Sequence, residues 1–219
     1  MATGISQAPD RRARQRAATI DEALGHAIDI MTADGVGGLS VSEVARRMGM
    51  RPPSLYKYFD SLHGIYDALF ERANGEHLEA VRKATARLDD EARLVAGAEA
   101  TVGWSMKNPA LAQLIFWRPV PGYAPSPQAY ASARETLTEL QSVVAAAIEH
   151  GSLRPDIDID EFVALYTIVV SGIVSQQLAN EPNARFASGR FSRHTPQVVR
   201  ALLAHYRIQG GHDASDTEQ

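Results

Sequence analysis

Lys57 and Arg51 are the two side chains of this sequence best suited to reading a base. Both are long cationic donors, and such donors match the O6 and N7 acceptors that guanine presents in a major groove. They sit in the run Arg51-Pro52-Pro53-Ser54-Leu55-Tyr56-Lys57-Tyr58. Upstream, Arg11, Arg12, Arg14 and Arg16 face only Asp10 and make a basic arm. Such an arm suits phosphate contact, whose strength comes from released counterions, although a solvated terminus accounts for the same charges equally well. Arg46 and Arg47 are as readily solvated as bound to phosphate.

The elements that must position these residues are two short helices and a turn. Ala45, Gly49 and Leu55 stand in the spacing Ala-x3-Gly-x5-Leu. A small alanine allows two helices to cross closely, a glycine makes the turn, and a leucine on the second helix points into the shared core. Val41, Val44, Met48, Met50 and Phe59 fill the other inward positions, which leaves Arg51, Pro52, Pro53, Ser54, Tyr56, Lys57 and Tyr58 on or near the outer face. In a helix-turn-helix that second helix enters the major groove. An ordinary helical hairpin packs the same three residues for core reasons alone.

Local signals bound these helices. Ser40-x-x-Glu43 is a capping box that starts one helix, and Gly49 can end it in the left-handed conformation. Pro52 and Pro53 open the next, which runs to about Phe59, because a proline's missing amide costs nothing in a first turn. Before them Ile20, Leu24, Ala27, Ile28 and Met31 form one apolar stripe. Asp60 can cap a long fourth helix with Leu62, Ile65, Leu69 and Ala73 on its inner face. Further helices are predicted over roughly 91–107, 109–116, 127–150, 158–180 and 195–208, with a proline-rich loop at 118–127 and a break at 151–155. No strand alternation and no internal repeat is found, so the expected fold is all-α.

Other chemistry finds little support. Asp156-Ile157-Asp158-Ile159-Asp160 resembles a calcium loop only superficially, because the central glycine is missing and Thr167 stands where a bidentate glutamate would close it. Asp158 with Glu161 reads better as a helix cap. The seven histidines have no metal-ligand spacing, and there is no cysteine for a thiolate site or a disulfide. No nucleophile elbow, phosphate loop or dinucleotide fingerprint is present. No catalytic residue, metal or cofactor is therefore assigned. The net charge of −4 does not announce a nucleic-acid binder, since nine basic and nine acidic side chains cancel between Met1 and Arg72. The apolar run Phe162–Val174 is broken by Thr167, Ser171 and Gly172, and no secretory leader is seen, which points to the cytoplasm without membrane contact.

The stretch from Gly38 to Phe59 resembles the DNA-binding signature of the TetR (tetracycline repressor) family, and the likeness extends over about Arg12 to Arg72, roughly a quarter of the chain. The resemblance implies that Ser42 reaches a base or phosphate from the second helix. It implies that Pro53 and Ser54 meet thymine methyls and phosphates, that the Tyr56 hydroxyl bonds phosphate, and that Lys57 and Tyr58 contact backbone or bases. Arg51 and Leu62 depart from the pattern: the family often has a serine-like cap at the first and a phosphate-binding lysine at the second. Arg16, from the basic arm, is placed with the DNA-contacting set. The implied organisation is a basic-arm region at 1–11, a three-helix DNA-binding domain at 12–72, a helical effector and dimerisation domain at 73–209, and a tail at 210–219. Both ends are expected to be flexible. The implied partners are a double-stranded operator, a second copy of the chain and a largely apolar small molecule that releases a repressor. A dimeric adaptor without operator binding and an enzyme are the alternatives.

The last two helices carry surplus apolar surface: Val163, Ile168, Val169, Gly172, Ile173 and Gln176 on one, with Val198, Val199, Leu202, Leu203 and Tyr206 on the other. They are expected to form a two-fold interface, or else to complete the monomer core. Trp104, Phe116, Trp117, Tyr123, Tyr130 and Tyr166 are candidates to line an apolar pocket, with Gln113, Arg118, His150 and Gln177 as polar partners. The same aromatic residues serve equally as plain core. The segment from Asn108 to Gly122 also looks like a C-terminal domain found in many actinobacterial members of the family.

Overall fold

The computed structural model describes residues 11–208, so the expected flexibility of the extreme N-terminal segment and of the tail falls outside the described residues. All regular structure among these residues is helical: α1 (Arg11–Asp34), α2 (Val41–Arg47), α3 (Pro52–Leu55), α4 (Leu62–Thr85), α5 (Asp90–Lys107), α6 (Pro109–Trp117), α7 (Ala131–Glu149), α8 (Ile159–Asn180) and α9 (Thr195–Tyr206). Two compact units result, one of residues up to Asn74 together with 108–131, the other of 75–107 and 132 onward. The proline-rich loop and α6 thus belong with the helix-turn-helix.

The core of the first unit forms from stripes at helical spacing. Leu24, Ala27 and Met31 of α1 are buried as expected, but Ala23 and Ile30 complete the wall while Ile20 and Ile28 are half-buried. Opposite them stand Val44, Ala45, Leu55, Phe59, Ile65, Tyr66, Leu69 and Phe70. After α1 the chain turns at Gly35, with φ +80, into a short 3-10 turn. Tyr66, 1% exposed, donates its hydroxyl to the Val36 carbonyl at 2.7 Å, so α4 fixes that turn from inside.

Several helix limits differ from those read in the sequence. The Ser40 hydroxyl accepts the Glu43 amide at 3.2 Å, but the Glu43 carboxylate turns away to Arg46 and Arg47, so only half of the capping box forms. Regular α3 stops at Leu55 rather than Phe59. Its carbonyl takes both the Tyr58 and Phe59 amides, at 2.9 and 3.2 Å, which tightens the last turn out of α geometry. Ser61, and not Asp60, caps α4 by accepting the Gly64 amide at 3.1 Å. The helix expected from Pro127 starts at Ala131, because the Ser126 hydroxyl captures the Ala129 amide at 3.1 Å and holds 127–130 in a turn. Arg11, Arg12, Arg14 and Arg16 lie within the first turns of α1 and not in an extended arm.

In the second unit α5 packs on α8 and α9. Asp158 caps α8 through the amides of Asp160 and Glu161, at 2.9 and 3.1 Å, as the sequence indicates. By length and composition alone α8 is long and apolar enough to cross a membrane. It buries Phe162, Val163, Tyr166, Val170, Val174 and Gln177 in its own unit.

Replacing Tyr66 with Phe leaves the Val36 carbonyl without its donor at nearly unchanged volume. The expected cost is about 1–3 kcal/mol in urea unfolding followed through the first unit. A change under a few tenths of a kcal/mol would show that this bond does not hold the turn.

Candidate nucleic-acid interface

The surface that the helix-turn-helix offers depends first on how the turn is made. Gly49 adopts φ +66, its amide bonds the Arg46 carbonyl at 3.1 Å, and the Met50 amide bonds the Ala45 carbonyl at 2.9 Å. This pairing is the Schellman motif, in which a left-handed residue lets the chain reverse and satisfies the last carbonyls of the helix. Arg51 follows in extended conformation as the residue before Pro52, which also suits a position preceding proline.

From there α3 presents two faces. Leu55 at 1% and Phe59 at 6% exposure are anchored inward. Arg51, Pro53, Tyr56 and Lys57 are exposed, Tyr56 at 50%, and Ser54 and Tyr58 are half-buried. Ser42 on α2 is exposed as well. Seven of the eight residues expected to contact DNA therefore lie on α2, or on α3 and its flanking turn. Leu62, where a lysine is common, is half-buried at the start of α4.

Arg16, the eighth, is exposed on α1 and reaches the same turn. Its Nη1 donates to the Lys57 main-chain carbonyl at 2.9 Å, and its guanidinium carbon lies 5.2 Å from the centre of the Tyr58 ring. Arg46 and Arg47 are also committed. Arg46 grips both Glu43 carboxylate oxygens, at 2.7 and 2.8 Å, and Arg47 Nε reaches one of them at 2.9 Å. These contacts, that of Arg46 foremost, hold the Glu43 carboxyl down at about 2. The same contact raises the Arg46 guanidinium above its ordinary range.

Asp67 was not anticipated, and it organises the other edge of the unit. Its Oδ1 accepts the Tyr123 hydroxyl at 3.1 Å and the Ser126 amide at 2.8 Å, which straps the proline-rich loop onto α4. The Tyr123 ring lies 5.5 Å from Tyr66 and 5.7 Å from His63, and Tyr130 lies 5.1 Å from Phe70. Burial, with the Asp67 charge, pushes the Tyr123 hydroxyl pKa upward. Arg118, with φ +46 at the end of α6, rests its guanidinium 5.1 Å from the Tyr130 ring.

The six aromatic pocket candidates are divided between the units. Phe116, Trp117, Tyr123 and Tyr130 belong to the first, where Trp117 is 40% exposed and Tyr123 is buried. Trp104 and Tyr166 are buried in the second. Tyr166 donates to the Leu94 carbonyl at 2.6 Å. The Trp104 ring lies 5.4 Å from His77, whose Nε2 is 2.9 Å from the Thr101 hydroxyl. Burial lowers the His77 imidazole to about 4. Thr101 spends its own proton on the Gly97 carbonyl, so Nε2 of a neutral His77 is the donor between them.

Among the residues expected at the dimer surface, Gly172 and Gln176 are exposed and Val169, Ile173 and Leu202 are half-buried. Val199 and Tyr206 are not available there. Val199 is fully buried, and Tyr206 packs edge-on against Phe162 at 5.1 Å within its own unit. Adjacent apolar pairs such as Val198-Val199 do not reveal which member faces inward. The outer face carries Ile168 at 65% and Val198 at 38% exposure.

A capped helix, a glycine turn and a proline-led helix with an anchored inner face and a bared outer one define a helix-turn-helix of the DNA-binding kind. Residues 24–69 match the family described as bacterial regulatory proteins, tetR family, and residues 94–190 match the tetracyclin repressor-like C-terminal domain. The HTH-type transcriptional regulator Rv1816 of Mycobacterium tuberculosis is 31% identical over 127 residues, which is 55% of this chain and 53% of that protein. This chain thus spans about half the length of the curated relatives it matches. Among solved structures, the TetR family regulator PfmR from Thermus thermophilus superposes with a TM-score of 0.65 at 18% identity, over 87% of this chain and 97% of that one. FadR from Bacillus subtilis, solved in complex with stearoyl-CoA, gives 0.67 at 14% identity, over 84% of this chain and 97% of that one. These structural likenesses bear on the fold alone. The chain belongs to the TetR family.

A carboxyl whose pKa is depressed on folding adds stability above its unfolded value and loses it as pH falls through the folded one. For Glu43 that window runs from the ordinary 4.5 down to about 2. A carbon-13 titration of the Glu43 carboxyl should show its midpoint near the lower figure. A midpoint near the upper one would mean that the two arginines are free to bind elsewhere.

Proposed function

We propose that this chain is a transcriptional repressor that binds a palindromic operator as a homodimer and leaves it when a small, largely apolar molecule binds its C-terminal region. The observation that carries this reading is the exposed set Arg51, Pro53, Tyr56 and Lys57 on a helix whose other side is anchored by Leu55 and Phe59. Among the described residues, Leu55 and Phe59 fill the core from this segment, while two cations and an aromatic side chain are held outward. Lys57 and Arg51 supply guanine-reading donors, while Ser42, Ser54, Tyr56 and Tyr58 supply hydroxyls for phosphate or base edges.

Dimerisation is supported by the outer face of α8 and α9, where Ala164, Ile168, Gly172 and Gln176 line up at helical spacing beside Val198 and Ala201. Exposed aliphatic side chains gathered on one face of a soluble protein mark an interaction surface. The small residues allow a partner helix close approach. A two-fold pair of chains suits an operator whose half-sites lie about 34–36 Å apart, one turn of duplex. The same use of the α8 face favours a soluble cytoplasmic protein over a membrane span.

For the effector, Trp104 and Tyr166 with the neutral His77 offer an apolar setting with one polar contact in the second unit, and Phe116, Trp117, Tyr123 and Tyr130 offer aromatic surface in the first. FadR of Bacillus subtilis, with its stearoyl-CoA, is one fold neighbour with an acyl ligand. An effector acts only by binding the released state more tightly than the bound one.

Selection of duplexes from a random library by the purified chain is expected to enrich an inverted repeat, bound by two chains per duplex. On the selected duplex Lys57→Ala should weaken binding by about 1–3 kcal/mol. Trp117→Ala should leave that affinity unchanged. Absence of enrichment, or full affinity in Lys57→Ala, would remove the basis of this reading.

A further inference from the structure

Arg16 is the one side chain among the described residues that hydrogen-bonds to the turn 56–58, and it comes from a helix 41 positions earlier. The turn needs such a tie. Two of its own bonds are long, Tyr56 to Pro52 and Lys57 to Ser54 both at 3.4 Å, against 2.9 Å for Tyr58 to Leu55, and Pro52 and Pro53 contribute no amide hydrogen. Carbonyls at a helix end lack partners within the helix, and an arginine or lysine side chain is one group that can bond them.

We infer that Arg16 is a positioning residue for operator reading, one that aims Lys57 and does not itself bind DNA. The guanidinium holds the turn at two points: Nη1 on the Lys57 carbonyl and its flat face over the Tyr58 ring, 5.2 Å from the centre. A planar group with both a directed donor and a stacking face can do this, whereas a lysine ammonium offers only the first. With the carbonyl of Lys57 fixed, the side chain of the same residue leaves the backbone in a set direction. Arg51 and Pro53, at the opposite end of α3, have no such contact with Arg16. The same geometry explains why a cation placed near the recognition surface is turned toward its own backbone.

This inference rests on the DNA-reading proposal, and a double-mutant cycle separates the two. Binding of the selected duplex is measured over a range of salt for the full chain, Arg16→Ala, Lys57→Ala and the double variant. Arg16→Ala is expected to weaken binding about tenfold. In the Lys57→Ala background it should cost less than about twofold and leave the salt slope unchanged, because both changes remove one interaction. An independent tenfold loss in that background, with the slope falling by about 0.9, would make Arg16 a phosphate contact and overturn the inference. So would full affinity in Arg16→Ala alongside a weakened Lys57→Ala. If Arg16→Ala loses helix content, Arg16→Gln, which keeps a polar stem, goes through the same cycle with the same two readings. A chain that selects no duplex at all overturns both proposals.

Discussion

A helix of four residues cannot hold itself together. One hydrogen-bonded turn fixes more backbone dihedrals than its bonds repay, so a segment as short as α3 exists only where the rest of the molecule imposes it. Here the imposition is burial from beneath and clamping from behind. Leu55 and Phe59 are sunk into a core shared with α1, α2 and α4, and Arg16 of α1 grips the far end of the turn. Everything the outer face can do depends on that constraint. Exposed side chains on a segment free to fray would lose their aim, and their contacts would have to offset the entropy of ordering them.

The same logic applies at the second edge of the unit. Asp67 draws in the Tyr123 hydroxyl and the Ser126 amide, so that α6 and its loop are part of the unit that carries the recognition turn. The loop contains four prolines between Arg118 and Pro127, which limits its own motion, and its anchor lies on α4 only a few residues beyond the Ser61 cap. A strained Arg118, the one non-glycine residue with positive φ among the described residues, ends α6 where glycine would cost less. Its stacking on Tyr130 gives that conformation a local compensation.

What could be read in the sequence follows from how local each signal is. The glycine turn, the proline-led helix and the Asp158 cap are set by residues within a few positions of one another, and all three form where they were read. Helix limits were less legible, because a competing hydroxyl one position away decides them, as Ser61 does over Asp60 and Ser126 over Pro127. The outer and inner faces of α9 were confounded since both Val198 and Val199 are equally apolar. The Asp67–Tyr123 and Arg16–Lys57 contacts span 56 and 41 positions, and no periodicity in a single sequence announces either. Arg16 illustrates the point: its charge placed it with the DNA-contacting set, and nothing local announces its bond to the Lys57 carbonyl.

Hydrogen exchange on the full chain, with and without the duplex it selects, measures the central claim most directly. The amides of residues 54–58 and of the start of α2 should gain protection when the duplex is added, more than those of α5 or α7. Protection that appears elsewhere while 54–58 exchanges as before would contradict the assignment of this turn as the surface that meets DNA.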